Sequence, residues 1–375
     1  MKSAFTADQA AAFRLQRQHL LRETGSTLID VCRDSGGIQA QMMSAAEMSL
    51  WTRRQETTRE EIRSALWTRR DLVKTSAMRM TLHLIPASDL ATYIAALKPN
   101  AWAILQRICT RLRAKPADLQ SLMSTVVDAL ADGPKTHHEL VRLASRNASR
   151  GVRVWLKLAW SAVRPAVAEG LILYGPSKGG EATFVRTDTW LPRQPTVTIE
   201  SARATLLRRF LSAFGPATPH DFSKWSGIRI DDAKTIMQSI ADEAVQVTVD
   251  GASGWLLRDD LAALAESRLD DTEVRLLPAF DTLLLAHATK EHLVARQYYK
   301  RVYRPQAWIS PVVLVGGRVV AVWFSKTRGA RVDVDVQPFE RIARSVRNAI
   351  GSEIDALAAF VGARCDVTFT EPRKQ

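Results

Sequence analysis

A unit that occurs twice in the middle of the chain limits the folds open to it. Each copy contains a Gly-Pro-x-Thr segment, at residues 133–136 and at residues 215–218. In both copies the Gly-Pro pair ends one helix, and the Thr is placed as the N-cap of the next helix. An acidic residue three positions later, Glu139 or Asp221, completes a capping box, although Asp is less usual there than Glu or Gln.

The segments around these two breaks match as well. An amphipathic stretch precedes each break, a further helix follows it, and two short apolar strands around a glycine turn close the unit. These elements are predicted at 118–131, 153–169, 171–174 and 182–186 in the first copy, and at 201–214, 231–244, 245–249 and 254–258 in the second. Pro165 must kink or split the helix predicted over 153–169. Helix, short helix, helix and β-hairpin is the order of a winged helix.

The rest of the chain extends this pattern and then departs from it. The N-terminal part is interpreted as another winged helix, with helices at 6–22, 28–32 and 42–54, a further helix opened by Thr58, and a hairpin at 71–75 and 80–85. After residue 271, strands dominate, at 274–277, 307–315, 318–324, 331–336 and 366–369, with one helix at 338–361. We therefore predict an α+β protein of three tandem winged-helix modules, residues 1–115, 116–196 and 197–263, a linker at 264–271, and a C-terminal β-barrel-like domain with a covering helix, residues 272–375.

The charge balance indicates a polyanion as partner. The chain has 375 residues, with 52 Lys and Arg against 39 Asp and Glu, and a net charge of +13. Such an excess favours nucleic acid, and with tandem winged helices double-stranded DNA, over an Arg-rich composition without a functional meaning. Aromatic neighbours of some basic clusters suit backbone contact with stacking, although a solvated face explains any single cluster equally well. The residues predicted to bind DNA are Arg54, Lys178, Arg296, Lys300, Arg301, Arg304, Lys326 and Arg328.

Several other classes of protein are disfavoured. The cysteines, Cys32, Cys109 and Cys365, lie far apart and form no CxxC pair, so neither a metal site nor a disulfide framework is predicted, and no cofactor is expected. The N-terminus lacks the apolar stretch of a secretion signal. The longest apolar run, 311–324, is interrupted by Gly316-Gly317 and is predicted to form a hairpin rather than a membrane span. We expect a monomeric cytoplasmic protein associated with the nucleoid.

Two glutamines, Gln39 and Gln41, follow Gly36-Gly37 and precede the helix predicted over 42–54. If this stretch is extended, their side chains point the same way, because alternate residues of a strand share a face. Carboxamides donate and accept hydrogen bonds but do not titrate, so the pair can hold a water or a sugar without taking a proton. Taken alone, the two residues are more readily interpreted as those of a solvated loop.

Six segments of the chain, in order, carry a resemblance to a known family: Gly37-Ile38-Gln39-Ala40-Gln41, then 49–53, 79–86, 214–227, 276–281 and 311–323. Together they resemble the AlkZ-like (YcaQ-type) winged-helix DNA glycosylases of bacteria, over nearly the whole chain. The resemblance implies tandem winged helices and a C-terminal β-barrel arranged around DNA. It also implies excision of alkylated bases, with some relatives unhooking interstrand crosslinks.

The catalytic motif of that family is Gln-x-Gln or Gln-x-Asp, and this chain has the former, at Gln39 and Gln41. The Gln-x-Gln branch is associated with resistance to DNA-alkylating natural products, and the Gln-x-Asp branch with broader repair. An N7-alkylated purine already carries a positive charge and leaves without prior protonation. What remains is to position a water and to stabilise the sugar cation, and two amides can do both. A carboxylate would do so better, so Gln-x-Gln predicts a restriction to good leaving groups.

Further candidates for the site come from one predicted strand and its approach: Arg79, Thr81 and His83. His83 is either a structural histidine or a residue of the DNA site, and Arg79 either contacts a phosphate or pairs with an acid. Asp281 is predicted to cap a helix over 282–286 or to form a salt bridge rather than to act in catalysis. Tryptophans in apolar runs are expected in the core, namely Trp51, Trp155, Trp160, Trp225 and Trp323.

The sequence thus predicts a monofunctional DNA glycosylase that hydrolyses the N-glycosidic bond of N7-alkylated purines and extends to interstrand crosslinks. No lysine adjoins the Gln-Ala-Gln motif in sequence, so no strand-cleaving lyase activity is expected. The alternative is a non-catalytic winged-helix DNA-binding protein, either a regulator or a lesion sensor, because a fold does not decide a function. A small-molecule sensor is a more distant third.

Overall fold

Short capped helices alternate with small β-sheets along this chain, whose computed structural model describes residues 3–22, 25–146, 148–158, 160–270, 272–329 and 331–370. The α-helices are α1 (Ala7–Arg17), α2 (Leu28–Asp34), α3 (Met43–Arg53), α4 (Arg59–Arg63), α5 (Leu90–Leu112), α6 (Pro116–Ala129), α7 (His137–Ser145), α8 (Arg150–Trp155), α9 (Arg164–Ala168), α10 (Thr187–Trp190), α11 (Ile199–Phe214), α12 (Pro219–Ser226), α13 (Ile230–Ser239), α14 (Leu261–Glu266), α15 (Thr282–Leu285), α16 (Tyr299–Val302) and α17 (Arg344–Val361). The strands are β1 (Ala4–Phe5), β2 (Ile38–Gln39), β3 (Leu72–Ser76), β4 (Leu82–Pro86), β5 (Lys135–Thr136), β6 (Ile172–Lys178), β7 (Glu181–Arg186), β8 (Ala244–Val249), β9 (Ala252–Leu257), β10 (Val274–Leu277), β11 (Val312–Val315), β12 (Arg318–Arg328), β13 (Arg331–Pro338) and β14 (Arg364–Phe369). The predicted α+β class is confirmed.

Local sequence signals account for where many of these helices begin. Thr136 and Thr218 are the N-caps of α7 and α12, and each forms the predicted capping box with Glu139 or Asp221. The side-chain oxygen of each Thr accepts from a backbone N–H that the first helical turn leaves without a partner. The helix predicted over 153–169 is split as expected, since α9 begins next to Pro165. Each of these starts depends on residues within three positions of it.

The largest sheet joins two of the predicted modules. Its strand order is β2-β4-β3-β6-β7-β5, so the strands of the first and second modules form one surface. The junction between them is an antiparallel pairing of β3 with β6, with Lys74 opposite Tyr174. A three-stranded sheet, β1-β8-β9, likewise links the N-terminal residues Ala4 and Phe5 to the third module. Residues 3–115 are therefore bonded to both following segments.

One apolar core also runs across the predicted module boundaries. It contains Val73 and Tyr93 from the first segment, Leu173 from the second, and Phe210 and Trp225 from the third. At about 25 cal/mol per Å² of buried apolar surface, such shared burial stabilises the arrangement of the segments as well as each segment by itself. Among the described residues, no helix is both long and apolar enough to cross a membrane.

The C-terminal sheet is open rather than closed into a barrel. Its strand order is β10-β11-β12-β13-β14, and within the described ranges the two edge strands, β10 and β14, do not pair with each other. The predicted covering helix is present as α17, and it packs against both edge strands. Ile350, Ile354 and Leu357 of α17 share a core with Val334 of the sheet. The helix therefore covers the open sheet, as predicted, without the sheet closing into a barrel.

A buried ion pair joins the first segment to the C-terminal domain. Arg53, the last residue of α3, donates from Nη1 to Oδ2 of Asp281 at 2.8 Å and from Nη2 to Oδ1 at 2.9 Å, and both side chains are fully buried. Ser49 also donates to Asp281, at 2.7 Å. Asp281 caps α15 by accepting from the N–H of Leu283, so both roles predicted for it are confirmed. Burial alone would raise the pKa of Asp281, but the Arg53 charge and these hydrogen bonds lower it.

Asp281→Ala should lower the free energy of unfolding by about 3–5 kcal/mol, because it leaves the charge of the Arg53 guanidinium buried without an opposite charge. Urea unfolding followed by far-UV circular dichroism measures the loss. Asp71→Ala, which removes the partner of Arg69 in a more exposed pair, is the matched control and should change the midpoint little. Equal losses of unfolding free energy in the two variants would contradict the larger contribution expected of the buried pair.

Candidate active site

The Gln-Ala-Gln segment is held in place by a tight glycine turn. Gly36 and Gly37 both have positive φ, 68° and 92°, which favours glycine. A Cβ atom on Gly36 would lie 2.9 Å from the ring of Trp225, at the end of α12. The next residues form β2, with Ile38 opposite Leu84 and Gln39 opposite His83 of β4. The Trp225 ring of α12 therefore packs directly against the turn that leads into the motif.

Gln39 lies below the surface and is tied to an arginine. Its side chain is 7 % exposed, and its Oε1 accepts from Nη2 of Arg79 at 2.9 Å. Because a guanidinium can only donate, the oxygen of the Gln39 amide must face Arg79, and this fixes the orientation of the amide. The Arg79 Nη1 group donates to the carbonyl oxygen of Trp225. Burial lowers the pKa of Arg79 to about 10, so the side chain stays charged at neutral pH.

Gln41, in contrast, is exposed and lines a cleft of about 1100 Å³. Arg79 lines the same cleft, so its guanidinium lies between the cleft and the Gln39 amide. Gln41 therefore lies at the surface of the cleft, and Gln39 is buried behind Arg79. Among the described residues, Arg79 bonds to an amide and a backbone carbonyl rather than to an acid, and its predicted contact with a phosphate stays a prediction.

His83 is a buried, neutral histidine. Its Nδ1 lies 2.9 Å from the carbonyl oxygen of Thr81, so Nδ1 carries the proton and donates to that oxygen. Burial, reinforced by the nearby Arg79 charge, lowers the pKa of His83 to about 3. The Thr81 hydroxyl donates to the carbonyl oxygen of Met78 at 3.0 Å. Neither residue lines the cleft, and both stabilise the approach to β4 on which Arg79 lies.

The cleft brings together basic residues that sequence analysis did not assign to the site. Lys74, Lys98 and Arg164 line it together with Gln41. Lys98 pairs with Glu169 at 2.6 Å, whereas Lys74 lies over the ring of Tyr174 at 5.8 Å. Burial lowers the pKa of Lys74. These residues come from β3, α5 and the start of α9, which are distant in the chain, so no local pattern marks them.

Trp160 was expected in the core, and that expectation is wrong. It is 41 % exposed and lines the cleft, whereas Trp155, five residues earlier, is fully buried. The apolar run around both residues indicated burial for each. The run is interrupted instead by a turn before α9, and this turn presents Trp160 outward.

The residues predicted to bind DNA lie in different surroundings. Lys178, at the tip of the hairpin formed by β6 and β7, is exposed and 3.7 Å from Glu139, and its hairpin neighbours Gly180 and Glu181 line the cleft. Arg54 is held by Glu61 at 2.9 Å and by the carbonyl oxygen of Ser26, so a DNA contact would have to replace these bonds. None of the residues predicted to bind DNA lines the cleft; these are Arg54, Lys178, Arg296, Lys300, Arg301, Arg304, Lys326 and Arg328.

The C-terminal members of this set differ in how far they are engaged. Arg296, Lys300, Arg304 and Lys326 are exposed. Arg301 donates to the carbonyl oxygens of Gln337 and Pro338 and lies over the ring of Phe339. Arg328 pairs with Asp333 at 2.7 Å. In the part of the chain that the structure describes, no group of three or more His, Cys, Asp and Glu side chains is placed to hold a metal ion.

Comparisons with known proteins agree with one another. The family model described as DNA glycosylase AlkZ-like matches residues 32–360. A Streptomyces sahachiroi protein called interstrand DNA cross-link repair glycosylase is 31% identical over 328 residues, which cover 84% of this chain and 86% of that protein. The solved structure of Streptomyces sahachiroi DNA glycosylase AlkZ superposes with a TM-score of 0.84 at 28% identity, and covers 99% of this chain and 100% of that chain.

The low pKa of His83 should make folding stability depend on pH. Between pH 6.5, its ordinary pKa, and about 3, the unfolded chain takes up a proton at this residue and the folded protein does not, so stability falls as the pH falls. His83→Asn keeps a donor near the Nδ1 position and removes this titration. Urea unfolding between pH 6 and 4 should show a slope against pH that is shallower by up to about 1.4 kcal/mol per pH unit. His220→Asn, at an exposed histidine, is the control, and an equal change there would contradict the assignment.

Proposed function

The chain belongs to the AlkZ-like DNA glycosylase family, and on this premise we propose that it hydrolyses the N-glycosidic bond of N7-alkylated purines in double-stranded DNA, with Gln39 and Gln41 at the reaction centre. The observation that supports this most is the layered arrangement of the two amides. Gln41 opens into the cleft, and Gln39 lies behind it with its orientation fixed by Arg79. A site of this kind orients groups rather than exchanging protons.

The chemistry follows from what each amide can offer. A carbonyl oxygen has two lone pairs, so Oε1 of Gln39 can accept from Arg79 and still accept from a water. Gln41 reaches the substrate side, where its amide oxygen would face the positive charge that develops on the sugar as the base leaves. The base itself already carries a charge and needs no acid. His83, neutral and buried, supplies no proton in this scheme.

We propose that the base is released without strand cleavage. A lyase step requires an amine free to attack the sugar, and the two lysines of the cleft are both engaged. Lys98 pairs with Glu169, and Lys74 packs over Tyr174. Strand breaks should therefore appear only when the abasic product is treated with alkali.

Interstrand crosslinks are included in the proposed substrate range. The Streptomyces sahachiroi relative is named for their repair. A cleft of about 1100 Å³ exceeds the roughly 300–1,000 Å³ of an ordinary small-molecule pocket, which suits a lesion larger than one base. The Gln-x-Gln motif further favours a role in self-resistance to DNA-alkylating compounds as well as in repair.

The proposed DNA contacts depend on the predicted modules and on exposed basic residues. Residues 1–115, 116–196 and 197–263 are proposed to act as winged-helix modules, with the hairpin of β6 and β7 as a wing that carries Lys178. Exposed basic residues of the C-terminal domain, Arg296, Lys300, Arg304 and Lys326, are proposed to contact phosphates. Arg54, Arg301 and Arg328 remain predictions, because each is engaged within the protein. We propose that the protein acts as a monomer on nucleoid DNA.

Gln39→Ala and Gln41→Ala should each lower the single-turnover rate of base release by about 10²–10³-fold, the usual cost of losing an electrostatic contact to the transition state. The substrate is duplex DNA with one N7-methylguanine, and abasic sites are counted after alkaline cleavage. Gln120→Ala, at an exposed glutamine of α6, is the matched control and should leave the rate unchanged. Undiminished release by the Gln39/Gln41 double variant would refute the mechanism, and sequence-specific binding without release would favour a regulator.

Arg79→Met should lower the maximal single-turnover rate by about 10–100-fold with little change in the affinity for DNA, because the Gln39 amide would lose its fixed orientation. Arg79→Lys should lie between this variant and the wild type, since one amine cannot bridge both Gln39 and Trp225. Arg164→Met, at another arginine of the cleft, should instead weaken binding and preserve the maximal rate. An unchanged maximal rate in Arg79→Met would exclude the positioning role.

A further inference from the structure

Trp160 is an exposed tryptophan that does not contribute to an apolar core among the described residues. Its side chain is 41 % exposed. Its φ of 57° is in the left-handed region, which a bulky side chain rarely adopts. A hydrogen bond stabilises the turn in this conformation: Trp155 donates from Nε1 to the carbonyl oxygen of Ser161 at 2.8 Å. The turn therefore keeps the Trp160 indole exposed to solvent, although a large apolar ring is usually buried.

A second aromatic ring supports the indole from the side. The centroid of the His137 ring lies 4.8 Å from that of Trp160, with the planes inclined by 45°. Burial, together with the neighbouring His138, lowers the pKa of His137, so this ring packs as a neutral aromatic group at pH 7. His137 is the first residue of α7, whose start is fixed by the capping box at Thr136. The orientation of the indole is thus supported by two elements.

The surroundings of the pair indicate what it binds. Trp160 and His137 line the same cleft as Gln41, Arg164 and Lys98. Basic residues beside an exposed aromatic ring suit a nucleic acid, in which the phosphates meet the cations and a base meets the ring. A base inside a duplex already has two stacking partners, so only an unstacked base has a free face for the indole. An alkylated base or its partner must leave the stack, at least in part, for water to reach the glycosidic bond.

We propose that Trp160, supported by His137, stacks on an unstacked nucleobase of the bound DNA and so selects DNA that is locally distorted. The proposal rests on the proposed function, since it assumes that DNA occupies the cleft. It assigns to the second module the recognition of distortion, separate from the glutamines that act on the sugar. Its ligand is the planar face of a base and not a particular base sequence.

The test compares binding to two duplexes of equal length, one fully paired and one with a single unpaired adenine, neither of which carries an alkylated base. The wild type should bind the bulged duplex about tenfold or more tightly, as expected for one base stacked on an aromatic side chain. Trp160→Ala should lose this preference, and Trp160→Phe should retain most of it. The slope of log Kd against log salt should be the same in Trp160→Ala and the wild type, because stacking releases no counterions.

Trp308→Ala is the matched control, since Trp308 is 39 % exposed and does not line the cleft, and it should keep the preference for the bulged duplex. Thermal unfolding of each variant shows whether the fold is intact. No preference in the wild type, an unchanged preference in Trp160→Ala, or an equal loss in Trp308→Ala would overturn the proposal. Because these duplexes contain no substrate, the result is independent of the excision assay, in which the glutamine variants test the proposed function.

Discussion

The buried ion pair of Arg53 and Asp281 joins the helix that follows the Gln-Ala-Gln segment to the C-terminal domain. Arg53 ends α3, and Gln41 lies just before the start of that helix. At the other side of the motif, β2 is paired with β4. The Gln-Ala-Gln segment is therefore held between a sheet and a helix whose far end is joined to the C-terminal domain. A desolvated charge pair tolerates little displacement, because either ion alone in the interior is costly.

The candidate site differs from most hydrolytic sites because few of its groups change protonation near neutral pH. Its proposed reacting groups are two amides, its histidine is kept neutral by burial, and Arg79 donates a hydrogen bond to the Gln39 amide. Glu181, a carboxylate of the cleft, is bonded to His138 and to the start of α7. Such a site contributes alignment and electrostatic stabilisation rather than proton transfer, which matches a leaving group that is already activated.

Sequence analysis succeeded where the cause of a structure is local. The capping boxes at Thr136 and Thr218, the split at Pro165 and the cap formed by Asp281 each involve residues a few positions apart. It did not reveal the contact between Arg79 and Gln39 or the joining of β3 to β6, because these depend on segments distant in the chain. The open C-terminal sheet was missed for a related reason, since whether the first and last strands pair is not indicated by the periodicity of either strand.

The pairing of β1 with β8 sets an order of events during synthesis. Ala4 and Phe5 lie beside Thr248 and Val249, about 240 residues later in the chain. At about 5–20 residues per second, a ribosome needs roughly 10–50 s to make the intervening chain. Throughout that interval the first strand has no edge to join, and its backbone groups stay hydrated or meet other partners. Pairing of the first strand therefore waits for the synthesis of β8, and a nascent chain released before that point exposes an unpaired strand to chaperones and proteases.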